Sequence, residues 1–156
     1  MTLKQLRIEK GLTQAQCAEF LGVPMRTYTR YEDDEGRAGT IKYNYMFEKL
    51  QKYGYIDEEH GLLTLDMIRS ISVPIFEEYN VNYAYLFGSY AKGKAKETSD
   101  IDILVSMPLN GLAFYELAER LRESLKKKID LLDESQLENN TLLVKEILQD
   151  GIKIYG

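Results

Sequence analysis

The sequence predicts an α+β chain, in which an all-helical N-terminal domain is followed by a small mixed α/β domain. Before residue 54 the apolar side chains recur at helical spacing, whereas beyond residue 62 short β-branched and aromatic runs alternate with helical stretches. Residues 54–61 are polar and flanked by glycines, which is typical of a boundary. We therefore expect one domain over residues 1–56 and a second over residues 62–156.

Length and composition are compatible with two small folded domains. The 156 residues carry a net charge of −5, and 44% of them are hydrophobic, an ordinary fraction for a folded core. Cys17 is the only cysteine, which excludes an intramolecular disulfide. The start of the chain lacks the apolar run of a signal peptide, and no stretch approaches membrane-spanning length. We expect a cytoplasmic location and no membrane partner.

Three short helices are predicted within the first 31 residues. The first ends at Gly11. Thr13 is suited to cap the second helix, with Gln16 at the spacing of a capping box. Gly22 supplies the next turn, and Pro24 is favoured at the first position of the third helix. Residues 41–53 then indicate one or two further helices that complete this core.

The pattern of the second and third helices resembles the helix-turn-helix of the Cro and phage-repressor family. The resemblance covers roughly residues 2–55 and is carried by Thr13-Gln14, Ala18, Gly22-Val23, Tyr28 and Tyr31-Glu32. Residues 1–31 also carry five basic and two acidic side chains, a local charge of +3 in an acidic chain. A locally basic face can bind DNA whatever the total charge, because affinity depends on the contact surface.

The resemblance implies that the third helix enters the major groove of DNA. Met25, Arg26 and Arg30 would then point toward base edges, while Gln14 and Thr27 would contact phosphate. Arginine can bind guanine through two hydrogen bonds, so specificity would depend mainly on the two arginines. Dimerisation on a palindromic operator is a further implication. The alternative is a three-helix module used for dimerisation or for docking a partner, with both arginines simply solvated.

The second domain is predicted to be a mixed sheet with helices on one side and carboxylates on the other. A helical stripe over residues 65–79 should kink or split at Pro74. Strands are expected at residues 81–87, 100–105, 129–132 and 152–155, and helices at 112–128 and 137–149. Three lysines end the first of these helices, where cations favour the helix dipole.

The most informative stretch of this domain begins where its first strand ends. Gly88 and Ser89 turn the chain and can open a short helix, whose free N–H groups suit a phosphate. Asp100 and Asp102 open the next strand, and side chains two apart on a strand point to the same face. Two such carboxylates can hold divalent cations between them. Taken singly, Gly88 could mark only a tight turn and Ser89 only a helix cap.

Gly88-Ser89, ten residues and then Asp100-x-Asp102 resemble the signature of the polymerase-β-type nucleotidyltransferases, and the compact minimal nucleotidyltransferases fit best. The resemblance covers roughly residues 62–156. A third carboxylate comes from a later strand in that family. Asp130 fits that position between apolar neighbours, and Asp133 competes with it. Lys92 stands where many members carry arginine, which keeps the charge but loses the bidentate fork.

This resemblance implies Mg²⁺ as cofactor and ATP as nucleotide substrate. Asp100, Asp102 and Asp130 would be the catalytic and metal-binding residues, with Asp130 also helping to deprotonate the acceptor. Gly88, Ser89 and Lys92 would bind the nucleotide.

Minimal nucleotidyltransferases serve as antitoxins to HEPN ribonuclease toxins and can adenylylate a toxin tyrosine. The resemblance therefore implies an antitoxin that transfers AMP to a cognate HEPN-type toxin and represses its own operon. A hetero-oligomer with the toxin follows from it, beside the homo-dimer that the helix-turn-helix implies. Two alternatives stay open: a catalytically inactive repressor and antitoxin that acts by binding alone, and a small-molecule nucleotidyltransferase.

Overall fold

The computed structural model of the protein describes residues 1–108 and 111–156. The chain divides into two compact units, Met1–Tyr55 and Ile56–Gly156, which we call unit 1 and unit 2. Within the described residues, no helix combines the length and the apolar character that crossing a membrane requires.

Unit 1 is entirely helical. Its helices are α1 (Leu3–Glu9), α2 (Gln14–Leu21), α3 (Met25–Asp33) and α4 (Ile41–Gln51), with a 3-10 turn at Glu35–Arg37. The predicted capping box is confirmed, since the Thr13 side chain accepts from the Gln16 N–H and the Gln16 side chain accepts from the Thr13 N–H. Gly22 ends α2 in the left-handed region with φ 68°, which favours glycine. Pro24 precedes α3 by one position and does not occupy its first turn.

A buried ion pair joins α1 to α3. The Arg7 guanidinium donates to both carboxylate oxygens of Glu32, at 2.9 Å from Nη2 and from Nε, and the Glu32 side chain is only 1% exposed. Burial alone would raise the pKa of Glu32, but the hydrogen bonds from Arg7 contribute to lowering it. The pair adjoins a core in which Tyr28, Met46 and Leu50 are completely buried. Removing either charge would leave the other unpaired in this core.

Unit 2 is a four-stranded sheet with helices. Its elements are α5 (Leu65–Glu78), β1 (Tyr83–Phe87), α6 (Gly88–Ala91), β2 (Ile101–Ser106), α7 (Gly111–Leu125), β3 (Ile129–Asp133), a 3-10 turn at Glu134–Leu137, α8 (Thr141–Asp150) and β4 (Ile152–Tyr155). The strand order is β3-β2-β1-β4, with β2 and β3 parallel and the other neighbours antiparallel. The mixed sheet predicted from the sequence is confirmed.

Several predicted helices of unit 2 differ from the observed ones. α8 begins at Thr141 and not at residue 137, where a 3-10 turn ends. Of the kink or split predicted at Pro74, the split does not occur, since α5 continues to Glu78. Ile75 and Phe76, the two residues after the proline, are buried, and their burial offsets the loss of one backbone hydrogen bond. α7 ends at Leu125, so the three lysines that follow do not belong to it.

The core of unit 2 occupies one face of the sheet. Alternate β2 residues, Ile101, Ile103 and Val105, are completely buried and pack with apolar residues of α5 and α7. Asp102 lies between two of these residues in β2, and because successive side chains alternate, it points to the other face. α8 contributes no buried residue to this core and contacts β1 and α6 instead, which the sequence did not predict.

Candidate active site

The register of two parallel strands brings two of the predicted carboxylates together. β2 and β3 pair so that Asp102 lies directly opposite Asp130. The two strands are separated in the chain by α7, the kind of crossover that parallel strands require. Residues that pair directly across neighbouring strands point to the same side of the sheet. Both side chains therefore project from the same face. Asp102 is half-buried and Asp130 is exposed.

Gly88 lies against the Asp102 carboxylate. β1 runs antiparallel to β2 with Phe87 opposite Asp102, so the first residue after β1 reaches the same place. Gly88 has φ +69°, and a Cβ atom at this position would lie 2.8 Å from the Asp102 Cγ. A side chain here would strain the left-handed backbone and would force the Asp102 carboxylate to move. Gly88 therefore allows the backbone to approach the carboxylate more closely than any other residue would.

The surroundings of Asp102 disfavour its charged form. Its pKa is raised to about 6, most of all by burial, and also by the negative charges of Asp130 and Asp100, a hydrogen bond with Asp130 and the charge of Glu146. A carboxylate held among other carboxylates loses this penalty when a cation binds beside it. The carboxylate cluster therefore destabilises the charged form of Asp102 when no cation is bound, and a cation bound beside it stabilises that form.

Asp100 immediately precedes β2 and is exposed, near enough to Asp102 for its charge to affect the pKa of that residue. Asp133, the competitor of Asp130, caps the following 3-10 turn, where its Oδ1 accepts from the Ser135 N–H at 2.8 Å. The structure thus places Asp130, and not Asp133, beside Asp102.

The donor set suits a hard divalent cation, because it consists of carboxylate oxygens from two adjacent strands. In the described part of the chain, no three acidic, histidine or cysteine side chains converge tightly enough to hold a metal ion as they stand. Asp100 and Asp130 are both exposed, so other rotamers are open to them. The residues present therefore fit Mg²⁺ chemically, with adjustment of side chains around the half-buried Asp102.

Two further predicted residues belong to the same neighbourhood. Ser89 follows Gly88 in α6 and is half-buried. Lys92 ends α6, and its Nζ lies 3.2 Å from the Glu146 Oε1 of α8. Glu146 also affects the pKa of Asp102, so α8 adds a fourth acidic residue near the site. No motif in the sequence singled out Glu146, since its proximity depends on where α8 packs.

The predicted DNA-binding residues lie along α3 and at the start of α2. Met25, Arg26 and Arg30 are exposed on α3, and Thr27 is half-buried. Gln14 Nε2 lies 3.3 Å from the Glu32 Oε1, so it hydrogen-bonds to the buried ion pair. The exposed side of α3 therefore combines two cationic side chains with one flexible apolar side chain.

Each of the two units matches a known protein family. Residues 72–156, just over half of the chain, match the polymerase beta nucleotidyltransferase family, and residues 3–39 match a helix-turn-helix family. The chain is 35% identical over 100 residues to the protein adenylyltransferase MntA of Thermococcus cleftensis, covering 60% of this chain and 99% of that one. It is 36% identical over 74 residues to the protein adenylyltransferase MntA of Shewanella oneidensis, covering 46% of this chain and 52% of that one.

A solved structure of a minimal nucleotidyltransferase has the same fold as unit 2. The TM-score is 0.51 at 24% identity, covering 60% of this chain and 98% of that one. The family match over residues 72–156 and the MntA relatives lead to one assignment. The chain belongs to the polymerase beta nucleotidyltransferase family, with MntA-type protein adenylyltransferases among its relatives and a helix-turn-helix domain at its N-terminus.

Proposed function

We propose that this chain is an antitoxin that transfers AMP from ATP to a hydroxyl group of a cognate HEPN-type toxin, and that unit 1 binds operator DNA to repress its own operon. The observation that carries the catalytic part is the pairing of Asp102 with Asp130 beside the close approach of Gly88. The MntA relatives, which are named protein adenylyltransferases, support a protein acceptor.

In this proposal the acceptor oxygen attacks the α-phosphorus of ATP. A new P–O bond forms, the bond to the oxygen that bridges to the β-phosphorus breaks, and pyrophosphate leaves. Asp130, exposed and directly opposite Asp102, accepts the proton of the acceptor hydroxyl. Asp100, Asp102 and Asp130 would hold Mg²⁺, which neutralises charge on the phosphates when bound.

The other site residues bind the triphosphate. Gly88 leaves room for the phosphates at the backbone, and the Ser89 hydroxyl donates a hydrogen bond to them. Lys92 supplies positive charge once it exchanges Glu146 for a phosphate. This exchange would also break the ion pair between Lys92 and Glu146 of α8.

A macromolecular acceptor fits the size of unit 2. The described elements of unit 2 form one four-stranded sheet and the helices that contact it or each other. No additional segment of the described residues forms a separate acceptor-binding subdomain. We therefore expect the partner protein to bring the hydroxyl to the carboxylates.

Labelling with ATP tests the enzymatic proposal. The full-length chain, Mg²⁺ and ATP carrying ³²P in the α-position are incubated with the product of the neighbouring gene. Label on that protein supports AMP transfer, and Asp102→Asn should abolish it. Neutralisation of the neighbour without label would instead support an antitoxin that acts by binding alone. Label retained by Asp102→Asn would show that the assigned site is wrong.

DNA binding requires a separate measurement. The exposed Arg26 and Arg30 on α3 support an electrostatic and base-reading contact with the major groove. Gel-shift titration with the DNA upstream of the gene should give a complex whose affinity falls steeply with salt. Binding that is equally strong for unrelated DNA of the same length would argue against an operator function.

A further inference from the structure

One lysine of unit 2 is completely buried, although the proposed chemistry does not use it. Lys127 is 0% exposed, whereas its neighbours Lys126 and Lys128 are exposed. Its Nζ donates to the backbone carbonyl oxygen of Glu97 at 2.6 Å and to that of His60 at 3.0 Å. An ammonium group is costly to bury, so its partners and its position need an explanation.

A tight turn directs Lys127 inward. α7 ends at Leu125, and β3 begins at Ile129. Between them Lys126 has φ 61°, in the left-handed region that residues with a side chain seldom adopt. This conformation reverses the chain within three residues and leaves Lys127 facing the interior.

The carbonyl of Glu97 belongs to the loop that carries Asp100. This loop joins α6 to β2, and Glu97 precedes Asp100 by three residues. Lys127 in turn precedes Asp130 by three residues. The buried ammonium therefore connects the two segments that lead to the carboxylates.

Additional hydrogen bonds extend this connection. The Ile101 N–H donates to the Lys128 carbonyl at 2.9 Å, which joins the start of β2 to the residue after Lys127. The Gly61 N–H donates to the Glu97 Oε1 at 3.2 Å. Inside the loop, the Lys96 N–H donates to the Ser99 Oγ at 2.8 Å. The loop is thus held by one charge-assisted hydrogen bond from the buried ammonium to Glu97 and by the hydrogen bonds at Gly61 and Ser99.

We propose that Lys127 is a positioning residue, whose buried ammonium fixes the loop of Asp100 against the turn that leads to Asp130. This inference rests on the proposed function, since it assigns Lys127 a role at that site. Lys127 does not touch the carboxylates itself. It acts through the backbone of the two segments and sets the distance between Asp100 and Asp130.

The test measures metal binding by the full-length protein. Mn²⁺ is titrated in the presence of a non-hydrolysable ATP analogue, and free Mn²⁺ is followed by electron paramagnetic resonance. Lys127→Met should weaken Mn²⁺ binding roughly 10-fold or more, as loss of a group that orients metal ligands does. Lys128→Met, the exposed neighbour, is the matched control and should bind Mn²⁺ like wild type. Hydrogen exchange should also accelerate at the amides of residues 96–101.

The outcomes separate the two proposals. If wild type binds no Mn²⁺ with the analogue, the proposed function fails. If wild type binds and Lys127→Met binds equally well, only the positioning role is overturned. A purely structural role would lower the denaturation midpoint of Lys127→Met while its folded form kept the wild-type Mn²⁺ affinity.

A second variant covers the case in which Lys127→Met does not fold. Ser99→Ala removes the hydroxyl that accepts the Lys96 N–H inside the same loop and leaves no buried charge behind. It should weaken Mn²⁺ binding in the same direction, with faster exchange in the loop. Wild-type affinity in Ser99→Ala would overturn the proposal that the fixed loop sets the carboxylate geometry.

Discussion

Replacing Asp102 with asparagine should stabilise the metal-free protein at neutral pH while it abolishes AMP transfer. The reason lies in the surroundings of this half-buried carboxylate, where burial and the charges of Asp130 and Asp100 raise its pKa from 3.8 to about 6. Folding at pH 7 must therefore place a charged carboxylate where the neutral form is preferred. Asparagine has nearly the same shape and carries no charge.

The magnitude follows from the difference in pKa between the folded and unfolded states. A difference of about two in pKa corresponds to about 3 kcal/mol, since each unit is worth 1.36 kcal/mol. Because the side chain is partly exposed, solvent screening reduces this figure, and we expect a gain of about 1–2 kcal/mol. Such an opposition between stability and activity is common at sites that bind charged ligands.

The same difference fixes the direction of the pH dependence. Between about pH 4 and pH 6 the folded carboxylate holds a proton that the unfolded one has lost. The contribution of Asp102 to the free energy of unfolding is thus most favourable at low pH and is lost as the pH rises through 6. The advantage of Asp102→Asn should be full at pH 7 and should shrink as the pH falls toward 4.

Urea denaturation in the presence of EDTA measures this effect. Far-UV circular dichroism follows unfolding in a chain that has no tryptophan, and hydrogen exchange of the β2 amides assigns the change to unit 2. Glu123→Gln removes an exposed carboxylate of α7 and serves as the control. Equal or lower stability of Asp102→Asn at pH 7 would refute the reasoning about the carboxylate cluster.

Three further substitutions test other parts of the molecule. Gly88→Ala places a Cβ against the Asp102 carboxylate and should weaken Mn²⁺ binding with an ATP analogue roughly 10-fold or more. Glu32→Gln leaves Arg7 without its charged partner, so urea denaturation at pH 7 should show a loss of about 3 kcal/mol. This loss should shrink at acid pH, because the pKa of Glu32 is lowered in the folded state. Arg30→Ala should weaken binding of the upstream DNA by about 1–3 kcal/mol in gel-shift titrations, with AMP transfer unchanged.

Matched variants serve as controls for these measurements. Gly93 has φ +71° but open space around it, so Gly93→Ala reproduces the backbone strain without the contact. Equal Mn²⁺ affinities for the two alanine variants would contradict the role of close approach at Gly88. Glu9→Gln, on the exposed part of α1, should leave stability nearly unchanged. An Arg30→Ala protein with wild-type DNA affinity would exclude α3 as the reading helix.

Local features of the sequence predicted most of the secondary structure. The capping box at Thr13 and Gln16 and the left-handed glycine that follows α2 involve residues close together in the chain. The strand that ends just before Gly88 and the strand that begins after Asp100 were likewise predicted to within two residues. Of the kink or split predicted at Pro74, the split does not occur, because the cost of a proline is local whereas the apolar burial that offsets it is not.

The sequence by itself determined the fold class, the two-part organisation and the carboxylate motif, since each depends on neighbouring residues or on the alternation of one strand. Tertiary structure alone decided that Asp130, and not Asp133, faces Asp102, because parallel pairing of β2 with β3 sets a register between distant segments. It also brought Glu146 near the site and buried Lys127 beneath the loop of Asp100. Such contacts join residues that only packing brings together, so no spacing along the chain predicts them.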